Sequence, residues 1–183
     1  MASFLTYMIP DKLLESETVY KGKIFDIKKD KVLLENGNVA RRDVLVHKGA
    51  CAAVPLTKDN KIIFVKQYRH PAGEFLLEIP AGGLEIGEDP KECIVRELQE
   101  EIGYKPGQVE FLFQLFLAPG YSSEKLFCYL CTDLSVSSLP CDDDENLKVI
   151  TLDFDEIKDK INKGEIKDAK TVACCLAVIN RFQ

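Results

Sequence analysis

Residues 82–104 read GGLEIGEDPKECIVRELQEEIGY, and this stretch predicts a short helix with well-marked ends. Asp89 stands where an N-cap is wanted, Pro90 follows at the first helical position and Glu92 lies at the third, which together form a capping box. Gly103 is a natural C-terminal stop. Between these ends, apolar residues recur at helical spacing and predict a face packed on a core: Ile94, Val95, Leu98 and Ile102.

The opposite face of this helix carries three carboxylates within about one turn, on Glu97, Glu100 and Glu101. Side chains at such spacings lie about 5–6 Å apart, so their like charges destabilise the helix. Partial burial beside the apolar face would raise that cost. A hard divalent cation, Mg²⁺ or Mn²⁺, would remove the repulsion because it prefers carboxylate oxygens as ligands. The alternative is an acidic helix face in solvent.

The spacing of the fixed residues resembles the Nudix box, G-x5-E-x7-R-E-U-x-E-E-x-G-U, in which U is a bulky apolar residue. The seven fixed positions are occupied by Gly82, Glu88, Arg96, Glu97, Glu100, Glu101 and Gly103. Leu98 fits the first U position, whereas Tyr104 at the last is a mild departure that affects packing more than chemistry. The resemblance implies an α+β fold, namely the Nudix α/β/α sandwich with a mixed sheet, plus an N-terminal β-strand extension.

The pattern of the rest of the chain predicts mostly strands, with two helices at the end. Residues 1–18 show no strong period and are expected to form an arm that packs on a partner subunit. Strands are expected within 19–46, with a hairpin turn at Asn36-Gly37, and residues 51–56 and 62–67 read as a strand pair around Asp59-Asn60. Further strands are expected at 75–79, 109–117, 125–134 and 148–152, and helices at 153–163 and 169–182. We therefore expect an N-terminal strand extension for dimerisation at 1–46 and a Nudix hydrolase domain at 47–183, with the box at 82–104.

Composition and charge limit the classes of partner. The chain has 183 residues, of which 46% are hydrophobic and 30% charged, as in an ordinary globular domain. Its net charge of −6 argues against binding to nucleic acid or to an anionic membrane surface. The seven cysteines and the lack of a signal-like N-terminus favour the reducing cytoplasm. Cys128 and Cys131 form a C-x-x-C on a strand, where residues three apart point to opposite faces, so shared metal or redox use is not expected.

Two further stretches resemble the ADP-ribose pyrophosphatase branch of the Nudix hydrolases: VKQYRHPAGEFLLEIPAGGLE at 65–85 and FLAPGYSSEKLFCYL at 116–130. Pro119 occupies the branch's marker position downstream of the box. The resemblance implies Mg²⁺- or Mn²⁺-dependent hydrolysis of ADP-ribose to AMP and ribose 5-phosphate, by a homodimer. Alternatives are a nucleotide-sugar pyrophosphatase acting on UDP-glucose or GDP-mannose, and a Nudix domain that senses ADP-ribose without turnover.

The same resemblance assigns the metal and catalytic groups. The metal ligands would be Glu97, Glu101 and Glu100, with the backbone carbonyl of Ala81, and Glu100 also counts as a catalytic candidate. Arg96 is interpreted as structural, pairing with Glu88 and with Glu92 or Glu100. The general base would come from the acidic loop at 142–145, with Glu145 first and Asp143 second. The alternative for that loop is a run of solvated carboxylates.

Substrate contacts are expected from cations, an aromatic ring and two carboxylates. Arg69 is suited to bind a phosphate through two hydrogen bonds, and Arg41 and Arg42 match a pair that the branch uses near adenine or phosphate. Tyr20 would stack on adenine, whereas core packing is favoured for Phe25. Glu78 and Glu124 are expected to accept hydrogen bonds from ribose hydroxyls.

Overall fold

The structure, a computed structural model, describes residues 9–141 and 146–182. Its strands, β1 to β12 in chain order, are Lys12–Lys21, Phe25–Leu33, Val39–His47, Ala50–Pro55, Lys61–Arg69, Glu74–Glu78, Ala81–Gly83, Tyr104–Lys105, Gln108–Phe116, Lys125–Thr132, Ser135–Val136 and Lys148–Asp153. The helices are α1 at Pro90–Glu101, α2 at Phe154–Asn162 and α3 at Ala169–Phe182. None of the helices within these residues combines the length and apolar character needed to span a membrane.

The chain divides into two compact units. The first contains the described residues up to Lys48 together with Ala118–Glu124. Its antiparallel sheet has the order β1-β2-β3, and Gly37, with φ of 81°, turns β2 into β3 as the hairpin signal predicted. The first strand, β1, begins at Lys12, earlier than the expected start of the strands at residue 19, while the packing of this segment on a partner subunit stays a prediction. All ten residues of β1 are exposed, so the strand has no buried face to impose an alternating pattern.

The second unit contains Gly49–Leu117 and the described residues from Lys125 onward. Its two larger sheets have the orders β7-β4-β10-β9 and β12-β5-β6. β4 and β10 are parallel while the other neighbours are antiparallel, so the predicted mixed sheet is confirmed. The predicted pairing of β4 with β5 is wrong. These strands belong to different sheets, and their pairing within the described residues is the bridge between Leu56 and Ile62.

The sheets of the second unit lie between α1 on one side and α2 and α3 on the other. Ala52 and Val54 of β4 pack in a core with α2 and α3, whereas Cys51 and Ala53 pack in a second core with α1. This alternation places an apolar layer on each face, which is the expected α/β/α sandwich. Cys128 and Cys131 fall in different cores, which confirms that they point to opposite faces.

The ends of α1 are close to the prediction, with one difference in the cap. Asp89 Oδ1 accepts a hydrogen bond from the backbone N–H of Lys91 at 2.8 Å. This bond reaches the second helical residue and not the third, and within the described residues Glu92 makes no return bond to Asp89. The helix therefore has an N-cap at Asp89, and the predicted capping box is wrong. Gly103 has φ of 72°, the left-handed conformation that ends a helix.

Candidate active site

The candidate site is built where strand β7 passes beneath helix α1. Ala81 and Gly82 belong to β7, which pairs with the buried strand β4. A loop at 84–89 then leads into α1, whose buried residues include Glu97 and Glu101. A strand fixed by its neighbour and the helix that follows it therefore carry the predicted metal ligands on facing surfaces.

Glu97 lies directly against the backbone of Gly82. A Cβ atom at Gly82 would stand 1.9 Å from Cδ of Glu97, and 2.0 and 2.3 Å from its two carboxylate oxygens. Gly82 is therefore required for close approach, because no other residue leaves room for this carboxylate. Glu97 is only 7% exposed, so the negative charge is largely withdrawn from bulk water.

Glu101 is the second buried carboxylate of α1. It binds β7 at Ala81, one residue before Gly82. It is 6% exposed, and its Oε2 accepts a hydrogen bond from the backbone N–H of Ala81 at 3.1 Å. Ala81, Glu97 and Glu101 are thus brought together, as three of the four predicted metal ligands. The fourth, Glu100, is half-buried and joins them through an arginine.

Arg96 holds the loop and the helix together. Its Nε and Nη2 donate to the two carboxylate oxygens of Glu88 at 3.0 and 3.2 Å. Its Nη1 donates to Glu97 at 2.7 Å and to Glu100 at 2.8 Å. The hydrogen bond with Glu88 raises the pKa of Arg96, and the hydrogen bond from Arg96 lowers the pKa of Glu88. The predicted pairings with Glu88 and Glu100 are confirmed, while in the described residues Arg96 makes no bond to Glu92.

The donor set fits a hard divalent cation. As the side chains stand, no three His, Cys, Asp or Glu residues in the described part of the chain form a ready set of metal ligands. Three carboxylates, those of Glu88, Glu97 and Glu100, nevertheless accept hydrogen bonds from the single guanidinium of Arg96. The buried carboxylate of Glu101 adds a further negative charge at the contact between α1 and β7. Buried carboxylate oxygens with negative charge in excess are what Mg²⁺ or Mn²⁺ binds in proteins.

Arg69, at the end of β5, is held by Glu78 at the end of β6. Its Nε and Nη2 donate to the two oxygens of Glu78, both at 2.8 Å. Glu78 is 1% exposed and also receives Lys170 Nζ at 2.5 Å. Burial alone would raise the pKa of Glu78, but the bonds and charges of Arg69 and Lys170 outweigh it and hold the pKa at about 2. Both oxygens of Glu78 therefore bind cations within the protein, and the contact of Glu78 with a ribose hydroxyl stays a prediction.

The predicted phosphate-binding cation interacts electrostatically with one of the predicted metal ligands. The pKa of Arg69 is raised first by its hydrogen bond with Glu78 and, against the effect of burial, also by the negative charges of Glu101 and Asp168. Arg69 and Glu101 therefore share one electrostatic environment. Within the described residues, Nη1 of Arg69 makes no hydrogen bond, which leaves one edge of the guanidinium for a ligand.

The other predicted substrate contacts belong to the first unit. Arg41 and Arg42 are exposed on β3, where Arg42 lies 3.5 Å from Asp11. Tyr20 is 53% exposed on β1, with its ring centroid 6.3 Å from that of Phe25. Glu124 follows Ser122, whose hydroxyl accepts a hydrogen bond from the Glu124 N–H. These four candidates remain predictions.

Sequence reasoning did not identify the residues at the start of α3 that hold Glu78 and its neighbour Ile79. Lys170 and Thr171 lie in the first turn of α3, and Asp168 immediately precedes that helix. A signal was present, because a lysine stood in an otherwise apolar helical run. The predicted general bases, Glu145 and Asp143, lie outside the described residues.

Comparison with known families gives a match over most of the chain. The NUDIX domain model matches residues 46–173. The chain belongs to the Nudix family. A second model, the nucleoside diphosphate sugar hydrolase N-terminal domain, matches residues 12–45. Nudix hydrolases related to this chain generally use a divalent metal, in agreement with the buried carboxylates.

Individual relatives of this Nudix hydrolase span nearly its whole length. It is 37% identical to a methanol dehydrogenase activator from Bacillus methanolicus, over 90% of each chain. It is 34% identical to an ADP-ribose pyrophosphatase from Bacillus subtilis, over 89% of each chain. A crystal structure of an ADP compounds hydrolase superposes with a TM-score of 0.85 over 96% of each chain, at 24% identity, which supports the fold.

The close approach at Gly82 generates a prediction. Gly82→Ala should lower kcat for metal-dependent hydrolysis by about 100-fold, because the new methyl group must displace the Glu97 carboxylate. Gly83→Ala is the matched control, since a Cβ there meets nothing within 4 Å. Both variants should be compared by steady-state kinetics and thermal unfolding. An unchanged rate for Gly82→Ala would mean that the Glu97 carboxylate is not needed where the structure places it.

Proposed function

We propose that this Nudix hydrolase is a Mg²⁺-dependent ADP-ribose pyrophosphatase that produces AMP and ribose 5-phosphate. The observation that carries the proposal is the placement of Glu97 and Glu101 against β7, with the phosphate-binding candidate Arg69 in the same electrostatic environment. Paired carboxylates for a cation beside a guanidinium for a phosphate suit a diphosphate substrate. The name of the B. subtilis relative and the resemblance of residues 65–85 and 116–130 support ADP-ribose as that substrate.

In the proposed reaction, the residues of the chain bind and orient the two phosphates. Glu97 and Glu101, with Glu100 and the Ala81 carbonyl, would hold Mg²⁺, and the cation would neutralise charge on the phosphate oxygens and lower the pKa of the attacking water. Arg69 binds a phosphate oxygen with the edge that Glu78 leaves unused. The water oxygen bonds to phosphorus as the bridging P–O bond breaks, and Glu145, or Asp143 in its place, takes the proton from the water.

The proposal assigns recognition of the nucleoside to residues of the first unit. Tyr20 would stack on the base, Arg41 and Arg42 would contact adenine or phosphate, and Glu124 would accept a hydrogen bond from a ribose hydroxyl. A second candidate substrate class is a nucleotide sugar such as GDP-mannose or UDP-glucose. The match of residues 12–45 to the N-terminal domain of nucleoside diphosphate sugar hydrolases favours it. The name of the B. methanolicus relative describes activation of another enzyme, so it does not decide between substrates.

The first test is a substrate panel. The purified chain is incubated with ADP-ribose, GDP-mannose, UDP-glucose and NADH, each with Mg²⁺ and with a chelator, and the released mononucleotide is quantified. We expect strong release of AMP from ADP-ribose, and its loss in the chelator. Faster hydrolysis of a nucleotide sugar would mean that this compound, and not ADP-ribose, is the substrate, while the assignment of the metal ligands would stand. No release from any compound, together with binding of ADP-ribose, would identify a sensor and overturn the enzymatic proposal.

The second test changes single carboxylates to amides. Glu101→Gln keeps the side-chain size but removes the charge, and we expect kcat to fall by about 100-fold or more, with the fold preserved. Glu145→Gln should lower kcat by about 100-fold, with little change in KM, if it is the general base. Glu110→Gln is the control, since Glu110 is an exposed partner of Arg181. Near-normal Mg²⁺-dependent rates in Glu101→Gln would refute the ligand assignment.

The chain is further proposed to work as a homodimer in the cytoplasm. Four large apolar side chains are exposed on β1, a strand exposed along its whole length: Leu13, Leu14, Val19 and Tyr20. Exposed apolar side chains on such a strand are suited to pack against the same strand of a second copy. The seven free thiols suit a reducing compartment.

Light scattering tests the dimer directly. The mass in solution should be twice the 20.6 kDa of the chain. Introducing charge with Leu13→Asp and Val19→Asp together should give the monomer, because burying unpaired carboxylates opposes association. Val136→Asp, at an 86% exposed position of the other unit, should remain dimeric. A wild-type mass of one chain would overturn the dimer while leaving the activity proposal intact.

A further inference from the structure

Glu78 is the centre of an ionic cluster that connects three elements of the second unit. Its two oxygens accept from Nε and Nη2 of Arg69 on β5, and one of them also binds Nζ of Lys170 on α3. Lys170 Nζ lies 3.0 Å from Asp168 Oδ2 as well. Two cations and two anions therefore alternate in the order Arg69, Glu78, Lys170, Asp168, and their charges balance.

Lys170 is an unusual residue for its position. It is 7% exposed, and it lies in the first turn of α3, where the helix dipole disfavours a positive charge. Burial of an ammonium group is costly unless the group is paired. The packing of α3 is supplied by its apolar residues, so it does not require a lysine here. The contacts that compensate for the buried charge are those with Glu78 and Asp168.

The start of α3 also holds the residue that follows Glu78. Thr171 Oγ1 donates to Asp168 Oδ2 at 2.5 Å and accepts from the backbone N–H of Ile79 at 2.9 Å. Asp168 Oδ2 additionally accepts from the Thr171 N–H at 3.0 Å. The end of β6 is therefore fixed to α3 through both a side chain and the backbone, just before the chain reaches Ala81.

We propose that Lys170 is a positioning residue for substrate phosphate binding: it fixes Glu78, and Glu78 fixes the guanidinium of Arg69. The inference rests on the proposed function, which assigns the phosphate contact to Arg69. Arg69 is 41% exposed at its side chain, so without a rigid acceptor its long side chain would sample many rotamers. Glu78 is that acceptor: its carboxylate binds Arg69 on one side, and Lys170 holds Oε2 from the other side within the buried cluster.

The central variant is Lys170→Met, which keeps the length of the aliphatic stem but removes the charge. We expect KM for the substrate to rise by about 10- to 100-fold with a smaller change in kcat, as for loss of an oriented charged hydrogen bond. Lys170→Arg should restore most of the affinity because it keeps the cation. Lys167→Met is the matched control: Lys167 also joins this region to β6, through Glu74 at 2.6 Å, but it is exposed. It should leave KM unchanged.

A double-mutant cycle separates positioning from general support of the fold. Arg69→Lys removes the planar fork, and the proposal requires that Lys170→Met add little further loss of kcat/KM in the Arg69→Lys background. A merely structural role predicts that the two losses multiply. Thermal unfolding of each variant records the cost to stability separately.

Hydrogen exchange at the Arg69 side chain reports whether its guanidinium is fixed, and this measurement needs no substrate. The Nε–H resonance of Arg69, assigned by its loss in Arg69→Lys, should be protected from hydrogen exchange in the wild type and in Lys167→Met. It should lose that protection in Lys170→Met, or in Lys170→Gln if the methionine variant does not fold. Retained protection would overturn the proposal, as would lost protection with unchanged kcat/KM. If the wild type hydrolyses no compound of the panel, the proposed function fails, and the resonance alone decides whether Lys170 positions Arg69.

Discussion

Two negative charges buried side by side are the constraint on which the rest of the site depends. Glu97 and Glu101 lie one turn apart on α1 and are each less than a tenth exposed. A helix gains nothing from such a pair, because like charges at this spacing repel and burial strengthens the repulsion. The surrounding structure compensates with a glycine backbone that admits one carboxylate and a backbone N–H that binds the other. A bound divalent cation would offset the remaining repulsion between the two carboxylates.

Two arginines are held by the same pair of hydrogen bonds to a carboxylate, although their remaining contacts differ. Arg96 and Arg69 each use Nε and Nη2 to bind both oxygens of one carboxylate, Glu88 in the first case and Glu78 in the second. Arg96 then turns its remaining nitrogen to Glu97 and Glu100, inside the protein. Arg69 makes no such inward contact within the described residues. The same two-bond contact at the guanidinium therefore leaves Arg96 paired within the protein and leaves Nη1 of Arg69 available for the phosphate contact that we propose.

The sequence was most informative where local chemistry alone determines the structure. The box helix, its glycine stop, the Asn36-Gly37 hairpin and the two final helices follow from caps, turns and periodicity that act within a few residues. The pairing of β4 with β5 was mispredicted, because both strands are apolar on both faces and a short turn joins them, as in a hairpin. Which sheet such a strand joins is decided by distant partners, β10 for one and β12 for the other. Lys170 was missed for the same reason, since its partner Glu78 is 92 residues away.

The same long-range contacts explain why the metal-ligand candidates and the phosphate-binding candidate have a common frame. β6 ends at Glu78, the backbone of Ile79 is bound by Thr171, and Ala81 two residues later is bound by Glu101. Within four residues the chain is thus held first by α3 and then by α1, from opposite faces of the sheet. A displacement of either helix would move Arg69 and the carboxylates relative to each other. In a diphosphate hydrolase, that relative position decides whether the cation and the guanidinium can bind the same substrate, because misplacement of about 1 Å can cost 100-fold in rate.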